Sequence, residues 1–265
     1  MSVIQTLQVE TPDGATAGAR FAGRTGPALV FVHGVGSTAA IWDAQLREFS
    51  NDFRCAAIEL RGNGALADPP PELISREGFA TDVLAVAGAL GFDRFTIVGC
   101  SLGGVVAFEL WRRVPERIEA MVIVGSFARY PDSESYAASI VQAVKEAGDM
   151  RSFAKVRAAR MNLTPERYDE TIEQMACKSV PSYLASTQAT WTGDYRSELA
   201  SIDVPAIVLY GEHDAIAPAV LAGEIAGGIR GARIAPVEGA GHVANADAPE
   251  RFNALLRDFL SVNAR

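Results

Sequence analysis

Short runs of β-branched and aliphatic residues alternate with longer amphipathic stretches along most of this chain, and this alternation restricts the fold more than any other feature. Six such runs occupy 27–34, 54–62, 93–101, 118–126, 204–214 and 232–242, and helical periodicity fits 76–90, 103–113, 218–229 and 249–262. Strand and helix in regular succession predict βαβ units and therefore an α/β architecture, a doubly wound and mostly parallel sheet. Val30-Phe31-Val32, Met121-Val122-Ile123-Val124 and Ile207-Val208-Leu209-Tyr210 are continuously apolar, as strands covered on both faces must be. Ahead of them, 2–11 and 15–22 flank the turn sequence Thr11-Pro12-Asp13-Gly14, which predicts an N-terminal hairpin at the sheet edge.

The strand rhythm stops after Ser126 and resumes at Val204. The intervening stretch carries helix-like pieces at 133–147, 152–161, 165–178 and 181–192. An inserted helical lid over 127–197 is expected, on a core built from 1–126 and 198–265. A chain of 265 residues buries about three quarters of its unfolded surface, so it needs neither a metal nor a disulfide to fold.

Charge and cysteine usage narrow the function classes. With 24 Lys and Arg against 32 Asp and Glu, the net charge is −8, which argues against nucleic acid and anionic membranes as partners. Cys55, Cys100 and Cys177 are an odd number without metal-ligand spacing, and a reducing compartment is expected. Residues 1–10 lack the basic cluster and apolar core of a signal peptide, and no run of about 18 apolar residues occurs, so a soluble cytoplasmic protein is expected. The expected partner is a small-molecule substrate; self-association into a homo-oligomer stays open.

Gly99-Cys100-Ser101-Leu102-Gly103 sits where a strand run ends and a helical pattern begins. A serine at such a turn is lifted clear of the sheet and stands at a helix N-terminus, where N–H groups and the helix dipole favour developing negative charge. A serine hydroxyl needs a base, and the chain offers three histidines: His33, His213 and His242. All three end strand runs. His33 reads as a packed turn residue and His213 as a loop residue, which leaves His242, at the end of the last strand run, as the expected base. Asp214 ends another strand run and could hold the imidazole in the accepting tautomer; Glu212 is the rival acid two residues earlier. His33-Gly34-Val35-Gly36 follows a strand run without a helix-like continuation, and its glycines allow a backbone N–H to face the reacting carbonyl, so the main-chain N–H groups of Val35 and Leu102 are the expected oxyanion hole. No cofactor and no metal site is expected.

Taken together, these segments resemble an α/β-hydrolase with a helical cap over nearly the whole chain, and the order Ser101, Asp214, His242 is the one that resemblance implies for a triad. Phe31-Val32-His33-Gly34-Val35-Gly36, Trp42-Asp43, Leu60-Arg61-Gly62, Gly99 to Gly104 and Gly241-His242-Val243-Ala244-Asn245 are similar to the 3-oxoadipate enol-lactonase branch. Many relatives carry Arg-Gly-His-Gly followed by serine, whereas this chain reads Arg61-Gly62-Asn63-Gly64-Ala65-Leu66. The resemblance implies acyl transfer to serine, hence cleavage of a carboxylic ester or lactone. Carbon–carbon bond hydrolysis of a ring-cleavage diketone, or a non-catalytic small-molecule receptor on the same fold, are the rival readings. Substrate selection is expected from the lid, where Arg129, Tyr130, Arg157, Arg160 and Trp191 are the candidates to face the pocket.

Overall fold

The computed structural model describes residues 3–161, 163 and 165–263. Ser2, where the first hairpin arm is expected to begin, lies outside them, as do Met1, Asn162, Thr164, Ala264 and Arg265, all within the expected core and lid spans. Among the described residues, eight strands form one sheet: β1 (Gln5–Glu10), β2 (Thr16–Ala22), β3 (Ala28–Val32), β4 (Arg54–Glu59), β5 (Phe95–Cys100), β6 (Ile118–Val124), β7 (Ala206–Gly211) and β8 (Arg233–Val237). Their spatial order is β1-β2-β4-β3-β5-β6-β7-β8. β2 runs antiparallel to both β1 and β4, and every other pair is parallel.

Among the described residues, ten α-helices accompany the sheet: α1 (Asp43–Phe49), α2 (Arg76–Ala89), α3 (Leu102–Arg113), α4 (Ser133–Ala147), α5 (Met150–Ala158), α6 (Pro165–Ala176), α7 (Val180–Trp191), α8 (Ala219–Gly228), α9 (Ala244–Asp247) and α10 (Pro249–Asn263). The segment after His33-Gly34-Val35-Gly36 was expected to have no helical continuation, yet a 3-10 turn at Ala39–Trp42 leads into α1. Buried Trp42, Leu46 and Phe49 hold it to the sheet, while its seven residues are too few for periodicity to stand out.

Period-two alternation explains why the central strands are apolar throughout. Along β3, Val30 and Val32 join one core cluster with Phe79, Val83 and Phe108, while Leu29 and Phe31 join the other with Trp42, Phe252 and Phe259. Each such side chain contributes about 1.5–3 kcal/mol by leaving water, so a two-faced strand counts twice per pair of residues.

The hairpin turn closes through Thr11 N–H to the Ala15 carbonyl at 2.8 Å, with Gly14 in the left-handed region at φ 81°. Arg61, just beyond β4, is wholly buried and ties that turn to α2. Its Nε donates to Asp82 at 2.9 Å and its Nη1 donates to Asp13 at 2.6 Å. The Arg61 N–H also donates to Asp82 at 2.9 Å. The four helices α4–α7 lie between β6 and β7 in the chain. Asp149 caps α5 by accepting from Ser152 N–H at 2.9 Å, and Ser179 caps α7 from Ser182 N–H at 3.2 Å. Among the described residues no helix is long and apolar enough to cross a membrane.

Candidate active site

β5 ends at Cys100 and α3 begins at Leu102, so Ser101 alone makes the turn between them. Its φ is +55°, a conformation that costs a non-glycine residue about 1–3 kcal/mol. Two hydrogen bonds hold it there: Ser101 N–H donates to the Val124 carbonyl at 2.9 Å, and Ser126 Oγ donates to the Ser101 carbonyl at 2.7 Å. The flanking glycines answer a packing demand. A Cβ at Gly99 would lie 2.2 Å from the Gly103 carbonyl oxygen, and one at Gly103 would lie 2.2 Å from that of Val32. No side chain fits at either position.

The structure brings the three residues singled out for proton transfer together. His242, in the loop after β8, stands with Nε2 3.1 Å from Ser101 Oγ, and its Nδ1 lies 2.8 Å from Asp214 Oδ2. The other Asp214 oxygen accepts the N–H groups of Ile216 at 2.8 Å and Ala217 at 2.9 Å. Burial works to raise the Asp214 pKa, but His242 and these two N–H groups outweigh it and hold the carboxyl below its ordinary value. Asp214 is therefore an anion with one oxygen fixed by backbone and the other free to orient the ring. All three residues are buried.

The other histidines are engaged elsewhere. His33 is fully buried, with Nδ1 2.8 Å from the Gly34 carbonyl and Nε2 accepting Leu60 N–H at 3.3 Å. His213 is exposed beside Glu212, whose carboxylate accepts Gly239 N–H at 2.8 Å. Neither reaches the serine. Cys100 lies directly beneath the turn, and burial pushes its thiol well above the usual range, so it stays neutral.

Val35 lines the cavity above Ser101, and Leu102 is the first residue of α3, whose first-turn N–H groups have no intrahelical acceptor. Gly34 lets the loop approach, because a Cβ there would lie 3.2 Å from Ser101 Cβ. The cavity is closed on its far side by residues of α5 and α6. Of the five lid residues expected to face it, Arg157 alone lines it. Arg129 pairs with Asp194 at 3.6 Å, Arg160 is exposed, and Trp191 is buried in a stack with Phe127 at 5.1 Å, with Tyr130 against its face at 4.7 Å.

Sequence reasoning passed over Arg167, Gln174 and Met175 of α6, which also line the cavity. The amphipathic pattern of α6 separates a polar from an apolar face without saying which polar side chains look down on Ser101. Lys178 was likewise unforeseen. It is buried, and its Nζ donates to Asn63 Oδ1 and, at 3.2 Å, to the carbonyl of Ser37 beside the Val35 loop. Burial lowers its pKa to about 8. Asn63 donates in turn to the carbonyls of Leu60 at 3.0 Å and Arg61 at 2.8 Å. Among the described residues no three His, Cys, Asp or Glu side chains converge as metal ligands.

Comparison with known proteins places the fold in a family. Residues 29–255 match the model of the alpha/beta hydrolase family. The chain belongs to the alpha/beta hydrolase family. Relatives of this alpha/beta hydrolase include 3-oxoadipate enol-lactonase 2 of Acinetobacter baylyi, 26% identical over 234 residues, which are 86% of each chain. Carboxylesterase YbfK of Bacillus subtilis is 27% identical over 241 residues, 88% of this chain and 80% of that protein. Among solved structures, the enol-lactonase from Burkholderia xenovorans superposes with a TM-score of 0.86 at 26% identity, covering 96% of this chain and 100% of its own. These relatives are hydrolases, and this protein is an enzyme of their family.

Proposed function

We propose that this alpha/beta hydrolase cleaves carboxylic esters or lactones through an acyl-enzyme, with Ser101 as nucleophile, His242 as general acid and base, and Asp214 orienting His242. The observation that carries this reading is the unbroken chain of contacts at 3.1 and 2.8 Å from Ser101 through His242 to Asp214 at the floor of the cavity. Ser101 Oγ attacks the carbonyl carbon as its proton passes to His242 Nε2, and the resulting imidazolium is stabilised by the Asp214 anion. The N–H groups of Val35 and Leu102 hold the tetrahedral oxyanion. Collapse breaks the bond to the leaving oxygen, which takes the proton from His242; water, deprotonated by the same ring, then releases the acid.

Relatives named as an enol-lactonase and a carboxylesterase support an ester or lactone over other acyl bonds. Residues 127–197 act as a lid that shapes the substrate side of the site, supported by α5 and α6 closing the cavity. The three free thiols support a cytoplasmic, reducing setting. Ser101→Ala tests the mechanism: it should keep the far-UV circular dichroism of the wild type and lower kcat/KM on a short aryl ester about a thousandfold or more. A fluorophosphonate should label the wild type on the peptide containing Ser101. Retained turnover in the variant removes Ser101 from the reaction.

A further inference from the structure

Arg157 sits in the last turn of α5, half-buried, and lines the cavity that also contains Ser101 and His242. What surrounds its guanidinium is unusual for a cation withdrawn from water. Its Nη1 is 3.4 Å from the Tyr136 hydroxyl, and its central carbon stands 5.9 Å from the Trp191 ring. Among the described residues no carboxylate lies within salt-bridge distance of it, whereas the other lid arginines are answered differently. Arg129 faces Asp194, Arg151 pairs with Glu173 at 2.5 Å, Arg167 has Glu170 and Asp247, Arg196 pairs with Asp194 at 2.7 Å, and Arg160 is exposed on the surface. A guanidinium cannot shed its charge by deprotonation, so partial desolvation without a counter-ion is a standing cost.

We infer that Arg157 is a subsite for a carboxylate carried by the substrate, so that the ester or lactone cleaved at Ser101 is an anion; this rests on the serine-hydrolase reading above. The planar fork of arginine matches a carboxylate through two parallel N–H···O bonds. Charge around the cavity favours one negative charge over two. Arg167 is already matched by acids, and Asp214 and Asp247 lie close by as further negative charge, so a phosphate dianion would be repelled where a single carboxylate meets the one unanswered cation. Arg157 and Ser101 line the same cavity, so one molecule bound there presents its carboxylate to the first and its scissile carbonyl to the second.

Two matched substrate pairs test this and report on which side of the scissile bond the carboxylate sits. In the first, 4-nitrophenyl hydrogen glutarate carries it on the acyl side, against neutral 4-nitrophenyl pentanoate; in the second, 4-acetoxybenzoate carries it on the leaving group, against 4-acetoxytoluene. The quantity read is the ratio of kcat/KM for the charged and neutral members within each enzyme. In the wild type that ratio should exceed about 10 for one pair, the scale of a charge-assisted hydrogen-bonded contact, and it should collapse toward one in Arg157→Met, chiefly through KM. Arg157→Lys should restore part of it. Arg160→Met removes the same charge from a hydrated position nearby and should leave the ratio as in the wild type.

A wild type that cleaves the neutral esters through Ser101 but favours the charged member of neither pair overturns the subsite and leaves the hydrolase reading intact. The same holds if Arg157→Met lowers both members equally, which would make Arg157 a packing residue between Tyr136 and Trp191. If nothing is turned over and the fluorophosphonate fails to label Ser101, the hydrolase reading falls. Calorimetric binding of hydrogen glutarate monoester to Ser101→Ala and to Ser101→Ala/Arg157→Met then decides the subsite: equal affinities overturn it, and loss of binding on removal of Arg157 supports it.

Discussion

Arg61 bridges the N-terminal turn and α2, and replacing it by methionine isolates the energetics of that bridge. The Arg61 and Asp82 side chains have no exposure, whereas Asp13 keeps 34%. Arg61→Met therefore leaves Asp13 to water but strands Asp82 in the core. Breaking a buried ion pair from one side costs about 3–5 kcal/mol. At about 2.1 cal/mol/K per residue, the 265 residues unfold with an entropy of about 0.56 kcal/mol/K, so the midpoint should fall by about 5–9 °C. Burial pushes Asp82 up to about 6 even beside Arg61, and without the guanidinium it must rise further. A carboxyl raised in the folded state is penalised above its folded pKa and unpenalised below its unfolded value near 3.9. The deficit of the variant should thus be largest near pH 8 and shrink by pH 6. Arg61→Met/Asp82→Asn removes the stranded charge yet keeps an acceptor for the residue 61 N–H, and should recover at least half the loss. Thermal unfolding followed by circular dichroism at both pH values measures all of this. A midpoint within about 2 °C of the wild type at pH 8, or a deficit equal at the two pH values, refutes the reasoning.

Three further outcomes follow from the same geometry. Gly99→Ala, whose Cβ would meet backbone at 2.2 Å, should collapse soluble yield or activity, whereas Gly223→Ala, exposed in α8 with open space around it, should raise stability by up to about 1 kcal/mol in urea titrations; similar behaviour of the two would show that the turn is not tightly packed. Lys178 is lowered to about 8 by burial, against the attraction of Glu59 and Asp68, so between pH 8 and its unfolded value near 10.4 the unfolded chain holds a proton that the folded protein lacks. Unfolding free energy should therefore gain up to about 1.4 kcal/mol per pH unit across that window from this group, and Lys178→Met should lose that gain; parallel pH curves would show that the lysine titrates normally. Asp214→Asn keeps an oxygen for the backbone N–H groups but presents the wrong partner to His242 Nδ1, and kcat should drop by about three to four orders of magnitude with the fold intact, a loss below tenfold being incompatible with an orienting role.

Local signals carried the parts of this molecule that depend on short-range rules. Continuous apolar runs located β3, β6 and β7 because both faces of those strands are covered, and the helix-like pieces between the last two located α4–α7. The last strand run was read as far as His242, but β8 itself stops at Val237, because the chain must leave the sheet to carry His242 back over Ser101. α1 escaped notice for want of length. Pairings between distant segments had no local trace: Lys178 meets Asn63 across 115 residues, and nothing around either one announces the other. The choice of Arg157 among the six arginines between β6 and β7 was equally invisible, since it depends on which way α5 is turned and on where Asp194, Glu173 and Glu170 happen to stand.

The sheet ends at β8, and that edge bears on how the protein behaves in a crowded solution. Open strand edges invite a neighbouring chain to continue the ladder, the first step of many aggregation routes. Here Pro236 lacks the N–H that a further strand would need, and Arg233, held by Asp258 at 2.5 Å, sets an ionic group three residues before it in a strand only five residues long. At the opposite edge β1 presents glutamine, threonine and glutamate along most of its exposed positions. An intruding strand would thus find an interrupted row of partners on one side and a hydrated one on the other.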